Sequence, residues 1–195
     1  MIKAVVLASG FSSRMGENKL LLPFKGKPLI YWILNSIKEI NFKEVDVIYV
    51  DEKVKDIAKY FGFNTIYNLN ASLGQSESVK IALKNYEGKG IMFFTGDQPL
   101  LKSTTIKFML EEFEISNKIV IPLYKGQRGM PTIFPNIFFD ELRRLKGDTG
   151  GRQIIKDHLE KVAFIEIDDI WEGFDVDSPQ EYLFLKTKEN EIWMT

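Results

Sequence analysis

Short runs of Val, Ile and Phe alternate along the chain with stretches whose apolar residues recur every three to four positions. That alternation predicts a mostly parallel sheet covered by helices, an α/β fold. The first run, residues 2–8, is rich in Val and Ile, as a central buried strand should be. Residues 28–40 then place Ile30, Ile33, Leu34 and Ile37 at i, i+3, i+4 and i+7, one face of a helix. Strands follow at 45–50 and 64–67 around a weaker helix at 54–60. A helix carries Val79, Ala82, Leu83 and Tyr86, and an apolar strand at 91–95 ends in Gly96-Asp97-Gln98-Pro99. The next helix sets Ile106, Met109, Leu110 and Phe113 on one face, with Ser103 as its expected cap. Beyond a strand at 119–123 come a turn at Lys125 to Gly129, a returning strand at 132–134, helices near 138–145 and 152–159, and a strand at 162–167. Ser178-Pro179-Gln180-Glu181 announces the last helix as a capping box with Pro at the first helical position. The charged tail from Lys186 is expected to be solvated.

Length changes the picture little: 195 residues suit one domain with a sizeable core, and no repeat or Pro/Gly-rich linker divides 1–195. Composition excludes more. Apolar residues at 45% and charged residues at 27% argue against disorder, and the apolar runs are too short for a bilayer. No signal-peptide layout opens the chain, so a soluble, cytoplasmic protein is expected, without membrane partners. There is no cysteine, so any metal must be held mainly by oxygen. A formal net charge of −1 removes the broad basic footprint of a nucleic-acid binder and leaves room for a small polyphosphate.

Three segments carry candidate chemistry. Directly after the first strand, Leu7-Ala8-Ser9-Gly10 opens a loop of small residues containing Arg14, Gly16 and Lys19. Backbone N–H groups there can approach an anion, and Arg14 and Lys19 add charge against a triphosphate. It fits neither a Walker A loop nor the dinucleotide fingerprint, and an ordinary strand-to-helix turn with two exposed cations suits the spacing equally. Asp97 stands at a strand's carboxyl end, where open α/β sheets place ligands, and could hold Mg²⁺ through one oxygen or simply form a turn before Pro99. In Asp175-Val176-Asp177 an extended backbone would turn both carboxylates to one side, although acidic residues before a helix also complement its dipole.

Taken together, Leu7-Ala8-Ser9-Gly10-x-x-x-Arg14-Met15-Gly16-x-x-Lys19, Gly96-Asp97-Gln98-Pro99 and Asp175-Val176-Asp177-Ser178-Pro179 resemble the molybdenum cofactor nucleotidyltransferases. Arg128-Gly129-x-Pro131-x-x-Phe134 and Leu145-x-Gly147-Asp148-x-Gly150-x-Arg152 look most like the cytidylyltransferase branch, which serves molybdenum hydroxylases. The resemblance runs from the first strand to the last helix. It departs at Ser9, where a second Ala is usual, at Met130, where His is common, and at Gly151, where Ala is common. It implies a three-layer Rossmann-like nucleotidyltransferase fold with a mostly parallel, mixed sheet. It also implies Mg²⁺ dependence and transfer of CMP from CTP to the phosphate of molybdopterin or molybdenum cofactor, with a molybdenum hydroxylase as the eventual acceptor enzyme. By the same resemblance Arg14, Lys19 and Asp97 are catalytic, and Leu7, Ala8, Ser9, Gly10 and Ser72 join Arg14 and Lys19 around the nucleotide. Asp97, Asp177 and Asp175 would bind the metal.

Asp148, Gly150 and Arg152 open a predicted helix whose N–H groups and guanidinium could receive the acceptor phosphate. A phosphate acceptor is already anionic, so such a reaction needs positioning and charge neutralisation more than proton transfer. The lone His158 is therefore left out of the site. Guanylyl transfer, transfer to a sugar phosphate, and a non-catalytic cofactor-binding chaperone are the other readings. Retention of both Asp97 and Asp177 argues against the last.

Overall fold

The computed structural model describes residues 2–10 and 15–189. Its strands and helices follow in the order β1 (Ile2–Ala8), β2 (Pro23–Phe24), β3 (Lys27–Pro28), α1 (Leu29–Lys38), β4 (Glu44–Tyr49), α2 (Glu52–Tyr60), β5 (Asn64–Tyr67), α3 (Gln75–Ala82), β6 (Gly90–Thr95), α4 (Ser103–Ser116), β7 (Ile119–Tyr124), β8 (Gln127–Arg128), β9 (Thr132–Pro135), α5 (Phe139–Arg143), α6 (Arg152–Asp157), β10 (Val162–Ile167) and α7 (Pro179–Thr187). The main sheet runs β10-β7-β9-β6-β1-β4-β5, with β8 paired to β7. β1 lies parallel between β4 and β6, β5 pairs in parallel with β4 and β10 with β7, whereas β9 is antiparallel to both β6 and β7. This is the expected mixed, mostly parallel sheet.

Residue alternation along β1 divides the core. Ala4, Val6 and Ala8 face a cluster built with Ile30, Ile33, Leu34 and Ile37 of α1, Val54 and Ala58 of α2, and Ile106, Met109 and Phe113 of α4. Val5 faces the opposite cluster, with Val79 and Ala82 of α3, Leu142 of α5 and Ile154 of α6. Helices on both faces of the sheet give three layers. A third cluster joins Phe24 of the β2–β3 ribbon, Leu29, Leu100, Val176 and Leu185 of α7, so the last helix folds back onto the first third of the chain.

Several boundaries differ from the pattern. α3 stops at Ala82, and Tyr86 lies beyond it, where its hydroxyl donates to the Gly90 carbonyl at 2.9 Å. Ser103 is the first residue of α4 and not its cap; its hydroxyl instead donates to Glu39 at 2.5 Å. The start of α4 is served from far away, because the buried Glu172 carboxylate accepts from the Lys102 N–H at 3.0 Å. The capping box before α7 is present: Ser178 Oγ accepts from Glu181 N–H, and the Glu181 carboxylate accepts from Asp177 N–H at 2.8 Å. The expected solvated tail is partly built in, since Lys186 and Thr187 still belong to α7 and Glu189 accepts from the Lys25 N–H. Residues 190–195 lie outside the described residues. Among the described residues no helix is long and apolar enough to cross a membrane.

Candidate active site

The carboxyl ends of the parallel strands β1, β4, β5 and β6 open on one edge of the sheet, and the segments singled out above converge there. The β1 loop is held from behind. The Ser9 and Ser78 hydroxyls lie 2.7 Å apart, and Asn68 Nδ2 donates to both, at 3.3 and 3.0 Å. All three side chains are buried, so this network ties β1, β5 and α3 together directly beneath Gly10. Arg14 lies outside the described residues, as do the three residues before it. Further along, Asn18 uses its Oδ1 to accept from Leu20 N–H and its Nδ2 to donate to Asp51, which starts a 3₁₀ turn at Lys19–Leu21 and fixes Lys19 at its head.

Lys19 reaches across the edge. Its ammonium donates to Asp97 Oδ2 at 2.5 Å and to Asp177 Oδ1 at 2.7 Å. Burial pulls the lysine pKa down, but Asp97 and Asp177 outweigh that and hold it above the ordinary value. Val176 N–H donates to the Asp97 carbonyl at 3.2 Å, and the Val176 side chain is fully buried. The backbone thus turns Asp175 and Asp177 back toward Asp97. Asp175 is open to the cleft, yet the protein crowded around it, followed by the charges of Asp97 and Asp177, pushes its carboxyl up to about 7.

This constellation can take a dication. Asp97, Asp175 and Asp177 share one nearby ammonium, which leaves two negative charges in excess when all three are ionised. Asp97 Oδ1 is buried without a hydrogen-bond partner, an unspent lone pair at the centre of the site. No cluster of three or more His, Cys, Asp or Glu among the described residues is arranged as a preformed metal cage. Mg²⁺ does not need one, because it usually binds one or two carboxylates and completes its shell with water and substrate phosphate.

Two cavities meet at these carboxylates. One, of about 590 Å³, is lined by Leu7, Ser9, Gly10, Lys19, Ser72, Asp97, Asp148 and Asp177, among others. The other, of about 500 Å³, shares Leu7, Gln75, Thr95, Asp97 and Asp177 with it and continues past Asp175 to Arg128, Met130, Phe134, Gly150 and Arg152. Of the expected nucleotide residues, Ala8 alone among those described faces away, buried in the core. Asp148 borders the first cavity, where its carboxylate accepts from Gln75 N–H at 3.4 Å, while Gly150 and Arg152 line the second. α6 itself has only six residues. Gly151 has a packing reason: a Cβ there would stand 2.3 Å from the Phe134 ring. His158 pairs with Glu141 at 3.1 Å, away from both cavities.

The polar segment from Asn70 to Ser78, which the resemblance sets around the nucleotide, does bring Ser72, Gln75 and Ser78 to the cleft, whereas sequence reasoning did not place Thr95, Phe134 or Lys156 there. Arg128 and Phe134 were visible only as motif letters. Asn68 carried no signal at all, since its role depends on β5 and α3 meeting behind Ser9.

A nucleotide-sized cleft at the carboxyl edge of an open α/β sheet, with a lysine held between two aspartates, defines a nucleotide-handling enzyme. Residues 4–162 match the MobA-like NTP transferase domain, and the chain belongs to that family of nucleotidyltransferases. The purine catabolism protein PucB of Bacillus subtilis (strain 168) is 30% identical over 198 residues, covering 91% of this chain and 92% of that protein. A probable molybdenum cofactor guanylyltransferase of Thermococcus sibiricus is 32% identical over 126 residues, 63% of this chain and 62% of that one. Among solved structures, Rv0371c from Mycobacterium tuberculosis H37Rv superposes with a TM-score of 0.81 at 24% identity, over 95% of this chain and 97% of that chain, which establishes the shared fold.

Proposed function

We propose that the chain, acting as one domain over 1–195, is a Mg²⁺-dependent nucleotidyltransferase that moves CMP from CTP onto the phosphate of molybdopterin or molybdenum cofactor and releases pyrophosphate. The observation that carries this reading is the sharing of Asp97 and Asp177 by two cavities, which supports one anionic substrate on each side of the carboxylates. In the first, Leu7, Ser9, Gly10 and Ser72 enclose the nucleotide, with Ala8 setting the strand end, and Lys19 with Arg14 neutralises the triphosphate. In the second, Gly150 and Arg152 receive the acceptor, and Asp148 orders their loop through Gln75 N–H.

An acceptor phosphate oxygen forms a bond to the α-phosphorus as the bond to the β-phosphate oxygen breaks, and the electron pair leaves with pyrophosphate. Neither anion needs deprotonation at neutral pH, which matches a site without histidine. Asp97 and Asp177 would hold Mg²⁺, with Asp175 adding charge; the ion, when bound, supplies neutralisation of the α-phosphate. Lys19 does the same from the protein side, and the Ser9–Ser78–Asn68 network keeps the β1 loop in place while charge moves.

CTP is preferred on the resemblance of Arg128-Gly129-x-Pro131 and the Gly147–Arg152 segment to the cytidylyl branch. Guanylyl transfer is the alternative, favoured by the Thermococcus relative, a probable molybdenum cofactor guanylyltransferase. Incubation with Mg²⁺, purified molybdenum cofactor and each nucleoside triphosphate in turn, followed by product mass, decides between them. A cytidine dinucleotide with stoichiometric pyrophosphate is expected; failure to release pyrophosphate from any of the triphosphates would refute transfer.

A further inference from the structure

Three cations border the second cavity without an ionic partner among the described residues. Arg128, Arg152 and Lys156 form no ion pair with any described carboxylate, whereas Lys19, which sits where the cavities meet, is doubly paired. The same cavity carries Asp97, Asp175 and Asp177 and apolar side chains such as Val79, Ile121 and Phe134, so these three cations, which none of its carboxylates pairs, provide a place for an anionic ligand.

Arg128 differs from the other two in how it is held. It lies on β8, the outer strand of a tight hairpin whose turn residues, Lys125 and Gly126, both have positive φ. Such a two-residue hairpin fixes which way β8 faces. Arg128 registers with Leu123 on β7, and Phe164 of β10 registers with Ile121 on the same strand, so the two side chains come from opposite sides of β7. The Arg128 guanidinium sits 5.0 Å from the centre of the Phe164 ring. Phe164 is 41% exposed on an edge strand, while its neighbours Ala163 and Ile165 pack into the core on the other face. Its ring therefore does little for the core, and the guanidinium is its main visible use.

The base of the hairpin is fixed as well. Tyr124 donates its hydroxyl to the Met130 carbonyl at 3.0 Å, and a Cβ on Gly129 would come within 2.5 Å of the Tyr124 ring. The loop carrying Arg128 cannot slide without disturbing that ring.

We propose that Arg128 binds an anionic group of the acceptor opposite Arg152, and that Phe164 is a positioning residue that keeps the Arg128 guanidinium at the cavity mouth. A cation–π contact limits the rotamers of a flexible arginine without using up its N–H groups, so less freedom is lost when the anion binds. The proposal rests on the acceptor occupying this cavity, as in the reading above.

The test is steady-state titration of purified molybdenum cofactor at saturating triphosphate and Mg²⁺, with calorimetric titration of the triphosphate and thermal melting alongside. Arg128→Ala should raise the acceptor KM about tenfold or more, the loss of a charge-assisted contact, with triphosphate affinity unchanged. Phe164→Ala should raise it about two- to fivefold with kcat retained, and Phe164→Tyr should restore it. The double variant should be no worse than Arg128→Ala alone, because Phe164 acts through Arg128. Additive effects, or a Phe164→Ala that lowers the melting temperature with KM unmoved, would overturn the positioning role. Arg152→Ala separates the two levels. If it raises the acceptor KM while Arg128→Ala does not, only this proposal fails; if neither does, the acceptor lies elsewhere and both fail.

Discussion

The backbone N–H of Val176 donates to the carbonyl of Asp97 at 3.2 Å, and this one bond joins the two acidic segments of the site. Val176 anchors it: its side chain is wholly buried among Phe24, Leu29, Leu100 and Leu185, while the residues on either side are open to the cleft. The alternation that buries Val176 is the alternation that presents Asp175 and Asp177. Val176→Ala should cost roughly 2 kcal/mol, two methylene equivalents plus a small cavity. It should also raise the Mg²⁺ concentration needed for half-maximal transfer. Urea unfolding and a metal titration of activity check the two effects. An unchanged metal requirement in a destabilised protein would mean that the register of 175–177 is set by other contacts.

Lys19 should show opposite effects on two ligands. With the ammonium bridging Asp97 and Asp177, a dication must compete with it, whereas a triphosphate gains from it. Lys19→Ala is therefore expected to tighten Mn²⁺ or Mg²⁺ binding to the nucleotide-free protein. The same change should weaken triphosphate binding about tenfold to a hundredfold, the usual range for a charge-assisted contact. Calorimetry with each ligand separately reads both signs. Unchanged metal binding in the variant would place the metal away from these carboxylates.

Glu172 gives a pH signature independent of catalysis. Its carboxyl is buried, and that withdrawal from water pushes its pKa above the ordinary 4.5 in spite of the Thr105 and Lys102 hydrogen bonds. A raised folded-state value means that the folded protein binds the proton more tightly than the unfolded chain. The stability from this group is complete below pH 4.5 and is lost as pH rises through the folded value. Glu172→Gln keeps an acceptor for Lys102 N–H and removes the titration. Relative to the parent, the variant should gain stability between pH 4.5 and neutrality and show no such gain below. Melting temperatures across that range test it, and a parallel pair of pH profiles would remove Glu172 as their cause.

How much of this was legible beforehand follows from the range over which each feature is determined. Ile2–Ala8 and the α1 face could be read directly because burial on both sides of a sheet, or on one side of a helix, leaves a periodic trace. Ser178–Glu181 could be read because a capping box is local. Asp97 and Asp177 were candidates from their places at element ends, but their shared lysine was not, since Lys19 reaches them only after β1, β6 and the segment before α7 assemble. The start of α4 misled for the same reason: Ser103 looked like a cap in sequence, while the bond comes from Glu172. Asp148 was a candidate from its place before α6, but its hydrogen bond to Gln75 N–H was not, since that contact forms only once α3 packs beside the loop.

Gly151 offers the last test, because the resemblance permits Ala there and the packing does not. A Cβ at 151 would stand 2.3 Å from Cζ of Phe134 and 2.9 Å from Cε2, well inside contact distance. Phe134 is 3% exposed and packs against Phe93 with ring centres 6.2 Å apart, so its ring cannot swing away freely. Gly151→Ala should therefore be destabilising by about 1–3 kcal/mol, the range for overpacking. Because Phe134, Gly151 and Arg152 line one cavity, the displaced ring should also raise the acceptor KM and leave triphosphate affinity alone. Phe134→Leu supplies the missing space at its own cost. In Gly151→Ala with Phe134→Leu, the penalty for the added methyl should largely disappear, a coupling of about 1 kcal/mol or more in a double-mutant cycle. Strictly additive stabilities would mean that the backbone at 150–152 moves to admit the methyl and that the ring does not set this side of the cavity.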